Sequence, residues 1–457
     1  MGWLLPLTYT RPRHVDIDDA RHSEDSAMTT SDKSDGSVKS GNSGASSGIP
    51  DSLTFDKIIS GGTCPPMTVR DFMNYLVYIE HSAENLQFFL WFRDYEKRFR
   101  AADTRDLSLA PEWTQAMEDD AVAKMRRMNV EKMRPDPKAA DIFKGTDFEK
   151  QGQELQPTDI YSPNPFNTPP RSAHSNADGD STYTPSYGVS THASTHKTQA
   201  SNAFAAAGVS LPFTVQPFRD EINRIIATYI MDGAPRQLNL SASEQKVAVQ
   251  ALSHTTHPTA FRGLIRNIEG ALRHQAHPNF VRWSICNGNP ARVFFARALG
   301  VGLIVEGLVA GILLTLSGVP RGFRALPAIA LVLGISTLIA AYKGMCVVLH
   351  GMHHRHVRPW ELFVQEDGSD DGSEASYCHK TSLESFGSTN SYEEEPWVVK
   401  YEKRNVVRKI FDREVWIQEP ALRQIQDTIF VQAMLAALLG AGALTAIFVA
   451  VPGGHFF

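Results

Sequence analysis

The chain has 457 residues, with 45 Lys and Arg against 50 Asp and Glu, for a formal net charge of −5. That balance excludes a protein gathered onto nucleic acid by a net positive field. Four scattered cysteines with no C-x-x-C pair exclude a disulfide framework and a Cys-based zinc site.

The length leaves room for about three domains. A mean hydropathy of −0.24 hides long apolar runs in the last third. Met1–Thr8 is too short and too poor in basic residues for a signal peptide, and Pro6 stands where a myristoylation motif needs Ser or Thr. Residues 1–50, dominated from Ser23 to Gly48 by Ser, Gly and Asp, are expected to be disordered. Periodic sequence begins near Leu53. Thr68–Asp71 reads as a capping box before a helix carrying Phe72, Leu76 and Ile79. Ser82 reads as the N-cap of a second helix that is apolar on two sides, through Leu86, Phe89 and Leu90 and through Phe88, Phe92, Tyr95 and Phe99.

Residues 101–210 read as an insertion, with a polar helix at about 111–133 and a long Pro-, Ser-, Thr-, Asn- and His-rich loop over 157–202. Helical spacing returns with Phe218, Ile222, Ile225, Ile226 and Tyr229 and stops at Gly233-Ala234-Pro235. A second capping box, Ser241–Glu244, opens a helix with Val247, Ala251 and Leu252 inward. Two further helices follow, one with Phe261, Leu264, Ile265, Ile268 and Leu272, the last from His277-Pro278 through Trp283. No strand period occurs, so residues 51–290 read as one all-α domain.

Three runs are long enough for a hydrocarbon core of about 30 Å: 298–319, 325–349 and 428–451. Arg273, Arg282, Arg292 and Arg297 before the first run, and Arg355 and Arg358 after the second, outnumber Arg321 and Arg324 in the turn between them. The positive-inside rule therefore expects the helical domain and residues 350–427 in the cytosol; loop charge does not choose the host, for which the plasma membrane is preferred over an endomembrane. Within 350–427, Glu366–Pro396 is acidic and expected to be disordered. Lys400–Arg413, with six basic residues beside Val406, Val407, Ile410 and Phe411, reads either as a juxtamembrane helix docking on anionic lipid or as a solvated connector. Gly300, Gly302, Gly307 and Gly311 invite close helix approach, including assembly of copies through the spans. Glu306, alone among apolar residues, asks for a partner in another span or another copy.

His350, His353, His354 and His356 crowd the end of the second run, but Arg355 and Arg358 lie among them with no carboxylate or cysteine nearby. They are read as an interfacial basic cluster, and no metal site is assigned. No P-loop, G-x-S-x-G, H-E-x-x-H or kinase pattern occurs. Neither an active site of the chain's own nor a cofactor is expected.

The segment Ser82-Ala83-Glu84-Asn85-Leu86-Gln87-Phe88-Phe89-Leu90-Trp91-Phe92-Arg93-Asp94-Tyr95 closely resembles the S-x-E-N-x-x-F-W-x-x-x-x-x-Y/F stretch of regulator of G-protein signalling (RGS) domains. Ile225–Ser241, with Ala234-Pro235 and Leu238-Asn239-Leu240, is similar to a second family motif, and Phe261–Ser284 to the closing helices. Together these cover roughly 53–100 and 211–287. RGS-like domains followed by three spans also resemble fungal bud-site-selection membrane proteins. The resemblance implies an RGS-like bundle that holds the switch segments of a Gα subunit while Gα's own residues hydrolyse GTP. It places Ser82, Glu84, Asn85 and Asn239 at that interface, with Gln275 and Asn279 where the family's strong members carry an acidic and a basic residue. Without those charges the expected alternative is a membrane scaffold or cell-polarity landmark that does not accelerate hydrolysis.

Overall fold

Each helix of this chain must satisfy the N–H groups of its first turn, and the sequence supplies the means at several starts. In the computed structural model, which describes residues 11–15, 48–133, 191–212, 215–364, 390 and 396–452, both expected capping boxes are closed. The Thr68 hydroxyl accepts from Asp71 N and the Ser241 hydroxyl from Glu244 N, while the two carboxylates reach back to the cap residues.

The main helices, apart from a single turn at Thr104–Leu107, are in chain order α1 (Phe55–Ile59), α2 (Val69–Tyr75), α3 (Ala83–Arg100), α4 (Gln115–Met133), α5 (Thr191–Ala206), α6 (Arg219–Ile225), α7 (Ala242–His254), α8 (Arg262–Ala271) and α9 (His277–Ser284). After them come α10 (Pro290–Leu316), α11 (Pro327–Tyr342), α12 (Val347–Gly351), α13 (Pro359–Val364), α14 (Pro396–Glu402), α15 (Val406–Ile410) and α16 (Pro420–Ala450). Among the described residues, the mostly helical chain departs from an all-α reading at one place. Strands β1 (His354–His356) and β2 (Glu414–Trp416) pair antiparallel, His354 opposite Trp416 and His356 opposite Glu414. The chain divides into two compact units, residues 1–97 with 264–457, and residues 98–263. The division falls inside the stretch 51–290.

In the first unit an aromatic core joins α1, α2, α3 and α9. Phe55 lies against Phe72 (ring centroids 6.4 Å apart) and Phe89 (5.7 Å), and Phe72 packs on Phe280 at 4.9 Å. Such rings bury large apolar areas, and their edge and tilted contacts add about 0.5–1.5 kcal/mol per pair. His277 is buried here, with Nε2 2.8 Å from Leu53 O. Residues 11–15, within the stretch expected to be disordered, lie extended along α9. The Arg11 guanidinium donates to Arg282 O at 2.8 Å and to Lys343 O at 2.9 Å, and Arg282 donates to Pro12 O at 2.7 Å.

Between α9 and the apolar helices lies a polar knot. Asn287, 1% exposed, accepts from Cys346 N (2.7 Å) and donates to Cys346 O (3.2 Å), while its own carbonyl accepts from His356 N (2.8 Å). Buried Arg292 at the start of α10 reaches Ile410 O at 3.2 Å and Glu414 at 3.4 Å. Four segments distant in sequence are thereby fixed to one another. A second tie is aromatic: Trp360 of α13 stacks on Tyr78 (4.7 Å) and Trp283 (6.0 Å), and the Arg358 guanidinium lies 3.6 Å over Trp283.

Among the described residues, three helices are long and apolar enough to cross a membrane: Pro290–Leu316, Arg321–Tyr342 and Pro420–Ala450. The second ends earlier than the expected residue 349. Gly344, at φ +81°, turns the chain, and α12 follows as a separate short helix. Val305, Val309, Ile312, Leu333, Leu438 and Leu439 stand exposed along these helices, an outward apolar surface suited to lipid. The inward face is built from small residues. A Cβ on Gly300 would lie 3.1 Å from Gly334 O, one on Gly307 2.9 Å from Leu331, and one on Gly311 2.5 Å from the Phe448 ring. These glycines thus serve packing within one chain, whereas Gly302 faces open space. Glu306 is exposed on the outer side of α10, its carboxylate without a hydrogen bond or ion pair to another described residue.

The basic stretch 400–413, read as a single helix, is instead broken into α14 and α15. Asn405 caps α15, and the Arg404 guanidinium grips Asp412 at 2.9 and 3.1 Å.

In the second unit, parts of the expected insertion form core. Ala121 and Met125, four residues apart on α4, are buried, as are Ala200 and Phe204 on α5. α4 packs on α7 and α5 on α6. Residues 191–202, read as loop, are therefore helical, because this i, i+4 apolar pair gives them a face to bury. The rest of that expected loop, and nearly all of Glu366–Pro396, lies outside the described residues. Buried Arg219 is held by Leu252 O at 2.6 Å and by the Gln216 carbonyl, and Arg98 pairs with Glu221 through both carboxylate oxygens at 2.8 and 2.6 Å.

Substituting Gly300→Val forces a branched side chain against the α11 backbone. It is expected to destabilise the chain by about 1–3 kcal/mol, whereas Gly302→Val should stay within about 0.5 kcal/mol. Thermal unfolding of the detergent-solubilised protein compares the two, and equal effects would contradict the packing described.

Candidate functional site

The segment carrying the strongest motif is organised around the start of α3. The turn before it ends at His81, whose φ of 55° reverses the chain. Ser82 N then donates to Leu76 O (3.0 Å), and Asn85 N to Ser82 O (3.3 Å). Leu86, Phe88 and Tyr95 are fully buried, and Trp91 stacks on Tyr95 at 5.1 Å. The burial of that side leaves Ser82, Glu84 and Asn85 half-buried at the helix start. The first-turn N–H groups carry a positive end of the helix dipole there, which the Glu84 carboxylate complements.

Glu84 already has a neighbour. Asn390 donates through Nδ2 to Glu84 Oε2 at 3.3 Å and accepts from Gln87 Nε2 at 3.0 Å. Burial raises the Glu84 pKa above the usual carboxylate range, and the Asn390 donor works against that rise. One turn earlier Glu80 is pushed up to about 7 by burial, with a Tyr75 hydrogen bond opposing.

Asn239 belongs to the second unit. It is exposed at a tight turn between buried Leu238, whose N–H donates to Tyr229 O at 2.9 Å, and the Ser241 cap. Gln275 is half-buried in the widened turn Leu272–Ala276 between α8 and α9. Asn279 stands differently from its assignment to a partner surface. It is 3% exposed, its Oδ1 accepts from Val15 N at 3.0 Å, and its Nδ2 donates to Val15 O at 3.0 Å. A buried amide left unpaired is costly, and Val15 satisfies both of its ends.

The residues not foreseen at this site are Gln87, Glu80 and Asn390. Gln87 follows Glu84 by three positions on one helix face, a spacing visible in the sequence. Asn390 comes from about 300 residues away, and no local pattern marks it. Apart from this face, one donor atom from each of His350, His353 and Asp427 lies within 4.8 Å of the others. This brings to the histidines a carboxylate that the neighbouring sequence lacks.

Glu80 and His277 make stability depend on pH in opposite senses. The unfolded Glu80 ionises near 4.5 and the folded one near 7, so its contribution falls as pH rises between those values, by up to about 3 kcal/mol. Burial pulls His277 down to about 4 from 6.5, so its contribution falls as pH drops through that window. The two slopes oppose between 4.5 and 6.5. Glu80→Gln should therefore match the native chain near pH 4.5 and exceed its stability at pH 8, as read from unfolding midpoints. An equal gain at both pH values would contradict the assignment.

No family model matches this sequence, and neither the curated proteins nor the solved structures include a match to it.

Proposed function

We propose that this chain is a membrane-anchored, RGS-like regulator that binds a heterotrimeric Gα subunit and accelerates its GTP hydrolysis. The carrying observation is the start of α3, where Ser82, Glu84 and Asn85 remain accessible above a buried Leu86, Phe88 and Tyr95. In this reading Asn85 and Glu84 hold the mobile switch segments of Gα, Asn239 approaches its catalytic glutamine, and Gln275 lies at the rim. Such a regulator supplies no base and no arginine finger. It lowers the barrier by fixing groups that Gα already owns. The three apolar helices would hold the bundle at the inner leaflet of the plasma membrane, with the helical domain and the segment after α11 in the cytosol, as the arginine distribution favours. Tethering raises the effective concentration toward a lipid-anchored partner, so a modest affinity suffices.

A second reading, a membrane scaffold or polarity landmark that recruits proteins without accelerating hydrolysis, is favoured by one specific observation. Asn279 spends its amide on Val15, and Gln275 carries no charge. A strong regulator would offer charged hydrogen bonds at these places, each about 1.5–3 kcal/mol.

Single-turnover GTP hydrolysis by Gα, with the full chain in lipid nanodiscs, separates the two. The regulator is expected to raise the rate, and Asn85→Ala to cut the acceleration on the order of tenfold, the equivalent of about 1.4 kcal/mol. It should also prefer Gα carrying GDP and aluminium fluoride over the GDP form. An unchanged rate with no such preference leaves the scaffold.

A further inference from the structure

We propose that His350, His353 and Asp427 form a binding site for a divalent transition-metal ion of the zinc class, clipping the exit of the second apolar helix to the start of the third. His350 lies in α12 and His353 two residues beyond its end, while Asp427 lies in the second turn of α16.

The geometry is that of a site nearly closed. One donor from each residue lies within 4.8 Å of the other two. His350 Nε2 is 3.5 Å from Asp427 Oδ1. Ligands bound at about 2.0–2.1 Å in a tetrahedral site stand roughly 3.3–3.4 Å apart, so this edge is already the right length. The remaining edges are no longer than 4.8 Å.

A His–Asp ion pair alone leaves too much unexplained. His350 is only 6% exposed, and its Nδ1 has no hydrogen-bond partner among the described residues. Nδ1 of His353 is equally enclosed and equally unpartnered. Ligation through Nε2 leaves Nδ1 of His350 unserved, whereas the enclosed Nδ1 of His353 has no partner among the described residues to compete with a metal ion. His353 is also held at φ 53°, a backbone state that histidine adopts at a cost, and one that carries its ring back beside His350 at 5.8 Å between centroids.

The donor set selects the ion. Two imidazoles and one carboxylate suit zinc and its neighbours, whereas magnesium and calcium require oxygen ligands. Phe430, 5.0 Å from the His350 ring, closes one side of the site with apolar surface. The Asp427 side chain is 40% exposed and leaves room for water as a fourth ligand. The metal would thus join α12 to α16 where no other described ion pair does.

The test uses the full chain in nanodiscs, stripped with a chelator, incubated with zinc chloride, desalted, and assayed for bound metal by mass spectrometry. The intact chain is expected to retain a single zinc ion. His350→Ala, His353→Ala and Asp427→Asn should each weaken retention on the order of 100-fold, the upper end of the loss seen for outer-shell partners, while His354→Ala should not. A variant that misfolds is bypassed by footprinting the unmutated chain. Zinc should protect His350 and His353, but not His354, from diethyl pyrocarbonate, and cobalt should give the visible absorption of a four-coordinate site. No uptake by the intact chain, or uptake that leaves both histidines reactive, overturns the proposal.

Discussion

The buried amide of Asn287 is the constraint on which the first unit depends. Its two polar ends meet both backbone groups of Cys346, and its own carbonyl receives His356. Each of these groups is out of water, so none can be left open without a cost of about 1–3 kcal/mol. The consequence is a fixed junction. The end of the helical bundle, the exit of α11, the β1–β2 ribbon and the α15 turn can be satisfied only together, with Arg292 bridging to Ile410 and Glu414. A helical module joined to apolar helices by a plain linker would swing freely. This one is welded, and the aromatic stack of Tyr78, Trp360 and Trp283 extends the weld to the α2 end of the bundle.

Inside the apolar helices the logic changes, because lipid tails solvate Leu and Val as well as another helix does. Association there relies on close backbone approach, which Gly300, Gly307 and Gly334 permit, and on a few polar ties at the ends. Lys343 reaches Gln432 at 2.6 Å and Arg324 reaches Val451 O at 2.8 Å. Glycines that a sequence reader could assign to contacts between copies are spent within one chain, and Glu306 is left facing outward.

The face at the start of α3 shows how a motif and its surroundings differ. Glu84 and Asn85 stand half-buried at a helix start with their neighbours buried beneath them. Yet Asn390 already bonds Glu84 and Gln87. Asn279 faces inward and secures Val15 through both ends of its amide. A partner at this face would compete with contacts the chain makes to itself.

Local physics made much of the architecture legible from the sequence. Thr68 and Ser241 marked helix starts because a hydroxyl three residues before a carboxylate closes a capping box. The i, i+4 spacing of Phe72 and Leu76 or Ile222 and Ile226 marked buried faces, and the length of apolar runs marked three helices able to cross a bilayer. What the sequence could not disclose was every pairing between distant segments: Asn287 with Cys346, Asn279 with Val15, Asn390 with Glu84, Asp427 with the histidines, β1 with β2. The helical role of 191–202 was hidden for the same reason, since Ala200 and Phe204 form a weak face until α6 lies against it. Periodicity reports which side of a segment is apolar. Which buried polar groups satisfy one another is decided only when the chain has closed and water has left them no other partner.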